Sequence, residues 1–255
     1  MKQREIAIGD IYKVGDHLIG RCDSRDIVAV NRLFDGAHAS LILTDIPYAV
    51  AYVEKKFTKG TIHTPIQNDH EQSDEEFASF TRAWLDAAKP HLRTKNAAYV
   101  FCSDKMLFAF RDGMIAAGYR FGQLLHWIKT ASVLGRLDYA PQHETLLYFW
   151  CGRHEFMRSH DKSVIIHPKP AKNKFHPTEK PIPILRRLIL NSSRVGDVVY
   201  DPFAGSGTTA LACEMTRRRS ISIDIEEKYC RIIIERIEKL TGQKAILLSR
   251  AHDGQ

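Results

Sequence analysis

The sequence has few cysteines and no long apolar run, and each shortage excludes a class of protein. Its five cysteines are far apart and none forms a C-x-x-C pair, so the pattern predicts neither a zinc site nor a disulfide framework. No apolar run is long enough to span a bilayer, and the start MKQREIAIGD lacks the apolar core of a signal peptide. We therefore expect a soluble, cytoplasmic protein with no membrane partner and no bound metal.

Acidic residues are outnumbered by basic ones. The 255-residue chain has 37 Lys and Arg against 30 Asp and Glu, a formal net charge of +7. This excess favours an anionic partner, with nucleic acid the leading candidate, although many basic proteins bind none. Hydrophobic residues make up 44%, which is ordinary for a globular protein with a full core, and the length suits one large α/β domain or two small ones.

No internal repeat or low-complexity linker interrupts the chain, and strand patterns alternate with helix patterns along it. This order predicts a mostly parallel sheet with helices on both faces. Residues 151–174 are predicted to form a small β-hairpin followed by a basic loop. The predicted strands are 17–20, 41–44, 97–102, 121–128, 145–150, 198–200 and 220–223, and the predicted helices include 27–34, one that begins at Ser73 with a capping box, 105–117, 182–191 and 226–240.

The sharpest pattern is VVYDPFAGSGTTA, residues 198–210. Its segment from Gly205 to Ala210 fits G-x-G-x-x-G/A between a predicted strand and a predicted helix. Asp224 follows nineteen positions after Gly205, at the end of the next strand. Glycines let the backbone approach a nucleotide, and the acid can accept hydrogen bonds from ribose hydroxyls. A strand-to-helix turn without a ligand is the weaker interpretation.

The position of this turn in the chain indicates which kind of nucleotide it binds. A dinucleotide enzyme usually places it first, but here only about thirty residues follow Asp224. The other strands must therefore come from upstream, in a permuted order. Asp201 precedes the turn and could reach a ligand's ammonium group. A cofactor that joins an amino acid to adenosine fits better than a pyrophosphate, so an NAD-dependent enzyme is a weak alternative.

A second stretch, LILTDIPYAV at residues 41–50, is an apolar strand that ends in a carboxylate, a proline and an aromatic ring. In open α/β sheets, ligands bind at the carboxyl ends of the strands. The pattern therefore predicts that Asp45, Pro47 and Tyr48 lie in a binding site.

Three stretches in this order resemble the amino-methyltransferases that act on DNA. DPFAGSGTT resembles their S-adenosylmethionine-binding motif, TDIPY resembles their D-P-P-Y catalytic motif, and HPTEKP (176–181) is similar to the segment that precedes the cofactor motif. With the catalytic motif first and the cofactor motif last, the order resembles the β group of that family. The resemblance extends from about Gly15 to Leu240.

This resemblance implies a single methyltransferase domain over residues 1–255. It implies an α/β fold with a doubly wound, mostly parallel seven-stranded sheet, a circularly permuted motif order and an inserted target-recognition hairpin at 151–174. The implied cofactor is S-adenosyl-L-methionine. Its implied contacts are Asp23 near the adenine, Thr178 and Lys180 beside the methionine carboxylate, Asp201, Phe203, Gly205, Gly207 and Thr208 along the cofactor, and Asp224 at the ribose hydroxyls.

The resemblance also implies roles at the catalytic motif. Asp45 would accept one hydrogen of the target amine, the main-chain carbonyl of Ile46 would accept the other, and Tyr48 would stack on the flipped base. Ile46 stands where the family has proline, but the carbonyl is backbone and Pro47 still favours an extended residue 46. We expect activity to be retained. A leading Asp resembles the adenine-N6 enzymes, and cytosine-N4 transfer stays open, as does a catalytically silent subunit that binds cofactor and DNA.

The implied partner is double-stranded DNA from which the target base is flipped out. The short recognition region suggests a short target and a second protomer that helps to hold DNA, so we expect that a homodimer can form. A bacterial or phage-encoded intracellular enzyme of restriction-modification type is compatible with these features. Candidate DNA contacts are Tyr139 and His143, together with five lysines that could instead be plain solvated surface: Lys55, Lys56, Lys169, Lys172 and Lys174.

Overall fold

One large mixed sheet organises the computed structural model, which describes residues 5–47, 72–132, 138–158, 160–169 and 179–250. The strands are β1 (Ile11–Val14), β2 (His17–Arg21), β3 (Ala39–Asp45), β4 (Leu92–Cys102), β5 (Arg120–Ile128), β6 (His143–Trp150), β7 (Arg153–His154), β8 (Val164–Ile166), β9 (Val198–Asp201), β10 (Arg219–Asp224) and β11 (Ile246–Ser249). The α-helices are α1 (Ile27–Phe34), α2 (Asp74–Ala88), α3 (Leu107–Ala116), α4 (Ile182–Ser192), α5 (Thr208–Thr216) and α6 (Glu227–Thr241).

The strand order confirms the predicted doubly wound sheet. It runs β11-β1-β2-β10-β9-β3-β4-β6-β5-β8, with β7 paired to β4 outside this path. The seven strands from β2 to β5 in this order are the predicted ones, and among them only β6 runs antiparallel to its neighbours. The sheet is wider than predicted, because β1 and β11 extend one edge and β8 extends the other.

Both faces of the sheet are covered by helices, and the central strands β3 and β9 are accordingly buried on both sides. In β3, Ile42 packs in the cluster that contains residues of α1, α2 and α3, whereas Leu41 and Leu43 pack in the cluster that contains residues of α4. Successive side chains of a strand point to opposite faces, which gives this division. A third cluster holds α6 against β1 and β2. No helix in the described ranges is long and apolar enough to cross a membrane.

Helix α2 begins as its capping box predicts. The Ser73 hydroxyl accepts a hydrogen bond from the Glu76 main-chain N–H at 3.2 Å, and the Glu76 carboxylate accepts one from the Ser73 N–H at 2.9 Å. These two bonds satisfy N–H groups that the first turn of a helix leaves without partners.

The predicted hairpin within 151–174 is corrected by the strand pairing. Strand β7 pairs with β4, and β8 pairs with β5, so the two do not pair with each other. Asn96 holds the start of the segment, because its side chain bonds the N–H and the carbonyl of Cys151. The indole N–H of Trp127 holds its other end by donating to the His167 carbonyl at 2.7 Å. The neighbouring strands therefore supply the partners that a hairpin would have supplied itself.

The centre of the sheet contains a topological switch point. Strands β3 and β9 are parallel neighbours, and from them the chain continues in opposite directions, to β4 on one side and to β10 on the other. The connections leave a crevice beyond the carboxyl ends of such a pair, where ligands of open α/β sheets bind.

Candidate active site

The glycine turn after β9 is fixed by positive backbone angles and by the tip of β10. Gly205 has a φ of 50° and Gly207 a φ of 77°, in the left-handed region that favours glycine. The Gly205 N–H donates to the Asp224 carboxylate at 2.9 Å, and the Ala204 N–H donates to the Ile223 carbonyl at 2.9 Å. Helix α5 begins directly after Gly207. The turn thus presents a helix N-terminus at the end of the sheet.

A hydrogen bond joins the catalytic motif to the cofactor motif. The Thr44 hydroxyl donates to the Asp201 carboxylate at 2.6 Å, and both side chains are buried. Thr44 immediately precedes Asp45 on β3, and Asp201 ends β9. Two stretches that lie 157 positions apart in the chain therefore meet at adjacent strand tips, as the sequence predicts.

One cavity of about 370 Å³ contains residues of both motifs. Its size falls in the range of small-molecule sites. Gly207 lies outside its lining and packs under the turn against Ile233. The predicted site residues that line it are Asp23, Asp45, Ile46, Pro47, His143, Lys169, Lys180, Asp201, Phe203, Gly205, Thr208 and Asp224.

Lys180 contacts the catalytic carboxylate. Its ammonium nitrogen lies 2.6 Å from Asp45 Oδ2 and 3.0 Å from Glu144 Oε2, and Glu144 Oε1 lies 2.9 Å from the Lys129 nitrogen. We name these four residues, in the order Asp45, Lys180, Glu144, Lys129, the charged network. The two lysines are 5% and 6% exposed, so both ammonium groups are largely removed from water. A place for Lys180 beside the methionine carboxylate stays a prediction.

Thr44, Glu144 and Lys129 are site residues that the sequence did not indicate. One signal for Glu144 was available: it stands at the start of a strand, and in an antiparallel strand the start lies at the same edge as the carboxyl ends of its parallel neighbours. Finding it required knowing the direction of β6.

Asp23, the predicted contact of the adenine, is held by a neighbouring arginine, and its role stays a prediction. The Asp23 carboxylate forms a hydrogen-bonded ion pair with Arg25 at 2.6 Å, and the Arg25 guanidinium lies over the Phe80 ring at 5.5 Å. Phe203 packs against the same aromatic group, with ring centroids 5.7 Å from Phe80 and 5.6 Å from Trp84. These contacts hold in place Asp23 and Phe203, both of which line the cavity.

The candidate DNA contacts are placed differently from one another. His143 lines the cavity and pairs with Asp104 at 3.2 Å, and Lys169 lines it too. Tyr139 lies outside the lining and is 91% exposed. Ile46 is buried in the core, 2% exposed. The predicted site residues outside the described ranges are Tyr48, Lys55, Lys56, Lys172, Lys174 and Thr178.

The family model described as DNA methylase, for N6 and N4 methyltransferases, matches residues 39–235. The chain belongs to this family. Among curated relatives, it is 27% identical to the type II methyltransferase M.HpaI of Haemophilus parainfluenzae, over 78% of this chain and 68% of the relative. It is 26% identical to M2.DpnII of Streptococcus pneumoniae, over 78% and 82%. It is 28% identical to M.HinfI of Haemophilus influenzae, over 78% and 63%.

Solved structures show the same fold. The M1.HpyAVI complex with S-adenosylmethionine superposes with a TM-score of 0.65 at 20% identity, over 86% of this chain and 98% of that one. The cytosine-N4-specific PvuII DNA methyltransferase superposes with a TM-score of 0.66 at 15% identity, over 90% and 92%. The fold class and the family predicted from the sequence are therefore confirmed, and S-adenosyl-L-methionine is the methyl donor that this family indicates.

The methylase has two acidic groups in its cavity that suit such a donor. Burial raises the pKa of Asp201 to about 6 and that of Asp224 to about 7. Among the described residues, neither carboxylate has an ion-pair partner, although Asp224 accepts hydrogen bonds from the N–H groups of Gly205 and Glu226 at 2.9 Å. A ligand that brings a positive charge and hydroxyl donors would compensate both groups. A nucleoside joined to an amino acid through a sulfonium sulfur has these features.

These raised pKa values predict how the stability of the cofactor-free methylase depends on pH. An acid whose pKa is higher in the folded state than its ordinary 3.8 binds more protons in that state, so the free energy of unfolding falls as pH rises through this window. We expect Asp224→Asn to reduce this fall between about pH 5 and pH 8 by about 1–3 kcal/mol. Urea unfolding at both pH values measures it, and equal falls in variant and parent would contradict the raised pKa.

Proposed function

We propose that this methylase transfers a methyl group from S-adenosyl-L-methionine to the N6 amine of adenine in double-stranded DNA. The observation that carries the proposal is the bond from Thr44 to Asp201, because it joins the tip that bears Asp45 to the tip that bears the glycine turn. The leading acid of the catalytic motif supports adenine as the base.

The chain's own groups prepare the amine. The lone pair of an exocyclic amine is delocalised into the ring, so the amine is a poor nucleophile. One N–H of the target amine donates a hydrogen bond to the Asp45 carboxylate and the other donates one to the main-chain carbonyl of Ile46, which favours a more tetrahedral nitrogen. The bound cofactor supplies an electrophilic methyl group on a sulfonium. Holding the two reactants in line provides most of the remaining acceleration.

The unusual Ile46 is compatible with this role. A proline at this position would be rigid because of its ring. The isoleucine is held instead by the packing of its side chain, which is buried in the core. The carbonyl that accepts the amine hydrogen belongs to the backbone and does not depend on the side chain. We infer that the methylase is active with isoleucine at this position.

The remaining roles follow from the proposed reaction. Flipping the base costs a few kcal/mol, and stacking on Tyr48 recovers about 1–3 kcal/mol. Lys169, which lines the cavity, is proposed to contact a phosphate, and the segment 151–174 is proposed to read the target. The named relatives are type II methyltransferases, which supports an intracellular restriction-modification role. A second protomer is proposed to help to hold the DNA.

Cytosine-N4 transfer is the second candidate, since the cytosine-N4-specific PvuII enzyme shares the fold over 90% of this chain. The deciding experiment incubates the purified protein with labelled S-adenosylmethionine and mixed-sequence DNA, and then separates the nucleosides. N6-methyladenine supports the proposal, and N4-methylcytosine supports the second candidate. Cofactor binding without transfer would indicate a silent subunit. Modification-sensitive sequencing of DNA from expressing cells then gives the target site.

A further inference from the structure

The charged network begins at the catalytic carboxylate and continues along the wall of the cavity, which all four residues line. Four charges of alternating sign follow one another, each within 3.0 Å of the next, and the formal sum is zero. Lys129 and Lys180 are both almost fully buried. Buried charges persist when they are paired, and removing one partner leaves the next charge without compensation.

The two central members of the network, Lys180 and Glu144, are held in their charged forms. Burial lowers the pKa of Lys180, but the carboxylates of Asp45 and Glu144 outweigh this effect and keep it above its ordinary value. Burial likewise raises the pKa of Glu144, and the two lysines outweigh it and keep that pKa below the usual range. Glu144 is therefore the anion between two ammonium groups.

Aromatic rings fix the two cations from the side. The Lys180 nitrogen lies 5.1 Å from the centre of the Phe101 ring, and the Lys129 nitrogen lies 5.4 Å from that of Trp127. Both rings are buried. Cation–π contacts at these distances add attraction and restrict where each ammonium can lie.

We propose that Glu144 is a positioning residue for methyl transfer, which holds the Lys180 ammonium against Asp45 so that the catalytic carboxylate stays correctly oriented. The inference rests on the proposed function, because it gives Asp45 the amine to orient. Glu144 contributes to the reaction only through Lys180. Misplacing a catalytic group by about 1 Å can cost about 100-fold in rate.

The test compares Glu144→Gln, Glu144→Asp and Lys129→Gln in the full chain. We expect Glu144→Gln to lower kcat about 10- to 100-fold, while KM for DNA and the dissociation constant for S-adenosylmethionine change less than about threefold. Glu144→Asp keeps the charge and should recover part of kcat. Lys129→Gln, at the end of the network that is farthest from Asp45, should lower kcat less than Glu144→Gln.

The control is Asp197→Asn. Asp197 is another buried carboxylate in an ion pair, 2.6 Å from Arg93. It lies at the amino end of β9, whereas the candidate site lies at the carboxyl end. This variant should lose thermal stability and keep kcat. The inference is overturned if Glu144→Gln lowers kcat no more than Asp197→Asn, or if cofactor affinity falls in parallel with kcat.

The outcomes also separate this inference from the proposed function. Wild-type transfer that does not depend on Glu144 overturns only the inference. Wild-type transfer to cytosine overturns the adenine proposal, and the dependence of kcat on Glu144 still decides the inference. Absence of any transfer by the wild type overturns both.

Discussion

Replacing Asp45 with alanine is expected to lower the turnover of methyl transfer about 1,000-fold, while the dissociation constant for S-adenosylmethionine stays within about threefold of wild type. The carboxylate is the acceptor that orients the target amine, so its loss affects the reacting geometry directly. The glycine turn is held by hydrogen bonds to the Asp224 carboxylate and the Ile223 carbonyl, and Asp45 takes part in neither bond. Cofactor binding should therefore survive.

The structure also explains why this variant should fold. Without Asp45, the Lys180 ammonium keeps the Glu144 carboxylate at 3.0 Å, so the buried cation retains one partner. Thr44 keeps its bond to Asp201, which maintains the contact between the two strand tips. Some stability is lost, because the buried Lys180 loses the closer of its two ion-pair partners among the described residues.

Single-turnover kinetics and cofactor titration measure the two quantities separately. Asp45→Asn keeps the volume and one acceptor oxygen, so its turnover should lie between those of wild type and Asp45→Ala. The control is Asp86→Ala, which removes an exposed carboxylate on α2 that pairs with Arg82 across one helical turn, and it should leave both quantities unchanged. Loss of cofactor binding in Asp45→Ala would contradict the division of roles between the two strand tips.

The elements that local pattern determines were predictable from the sequence. The glycine turn needs residues that accept positive φ, and it stands between an apolar strand and a helix, so one short stretch carries the whole signal. The same is true of the capping box at Ser73. The adjacency of β3 and β9 was predictable as well, because two ligand-type motifs at strand ends must share one crevice.

The charged network could not be predicted in this way. Its members come from four separate stretches, and no spacing in the sequence relates Lys129 and Glu144 to Asp45. The position of Glu144 depends on β6 running antiparallel, which periodicity does not reveal, since a strand has the same alternation in either direction. Lys180 was found through a resemblance, and its contact with Asp45 became evident only from the folded chain.

The edge strands were missed for a different reason. Strands β1 and β11 have four residues each, too few for a clear alternation. A turn signal was present, because Gly15 and Asp16 form the two-residue connection between β1 and β2, with Gly15 at a φ of 57°. A glycine at the first position of a two-residue loop favours a hairpin.

Gly207→Ala is expected to lower the free energy of unfolding by about 2–5 kcal/mol, more than the other glycine substitution, Gly242→Ala. Two costs add. A φ of 77° is unfavourable for any residue with a Cβ, and an added Cβ would lie 2.9 Å from Cγ1 and 3.1 Å from Cγ2 of Ile233, inside normal contact distance. Since Ile233 is fully buried on α6, it has little room to move. The turn should shift, and cofactor affinity should fall with it.

A matched glycine separates the two costs. Gly242 ends α6 with a φ of 73°, and an added Cβ there would meet nothing within 4 Å. Gly242→Ala therefore carries the backbone cost alone, about 1–2 kcal/mol, and should leave cofactor binding unchanged. The difference between the two variants in free energy of urea unfolding measures the packing of the turn on Ile233. In a protein that already carries Ile233→Ala, Gly207→Ala should therefore cost less stability than it does in the wild type. If the two glycine variants lose equal stability, close packing of α6 is not what requires glycine at position 207.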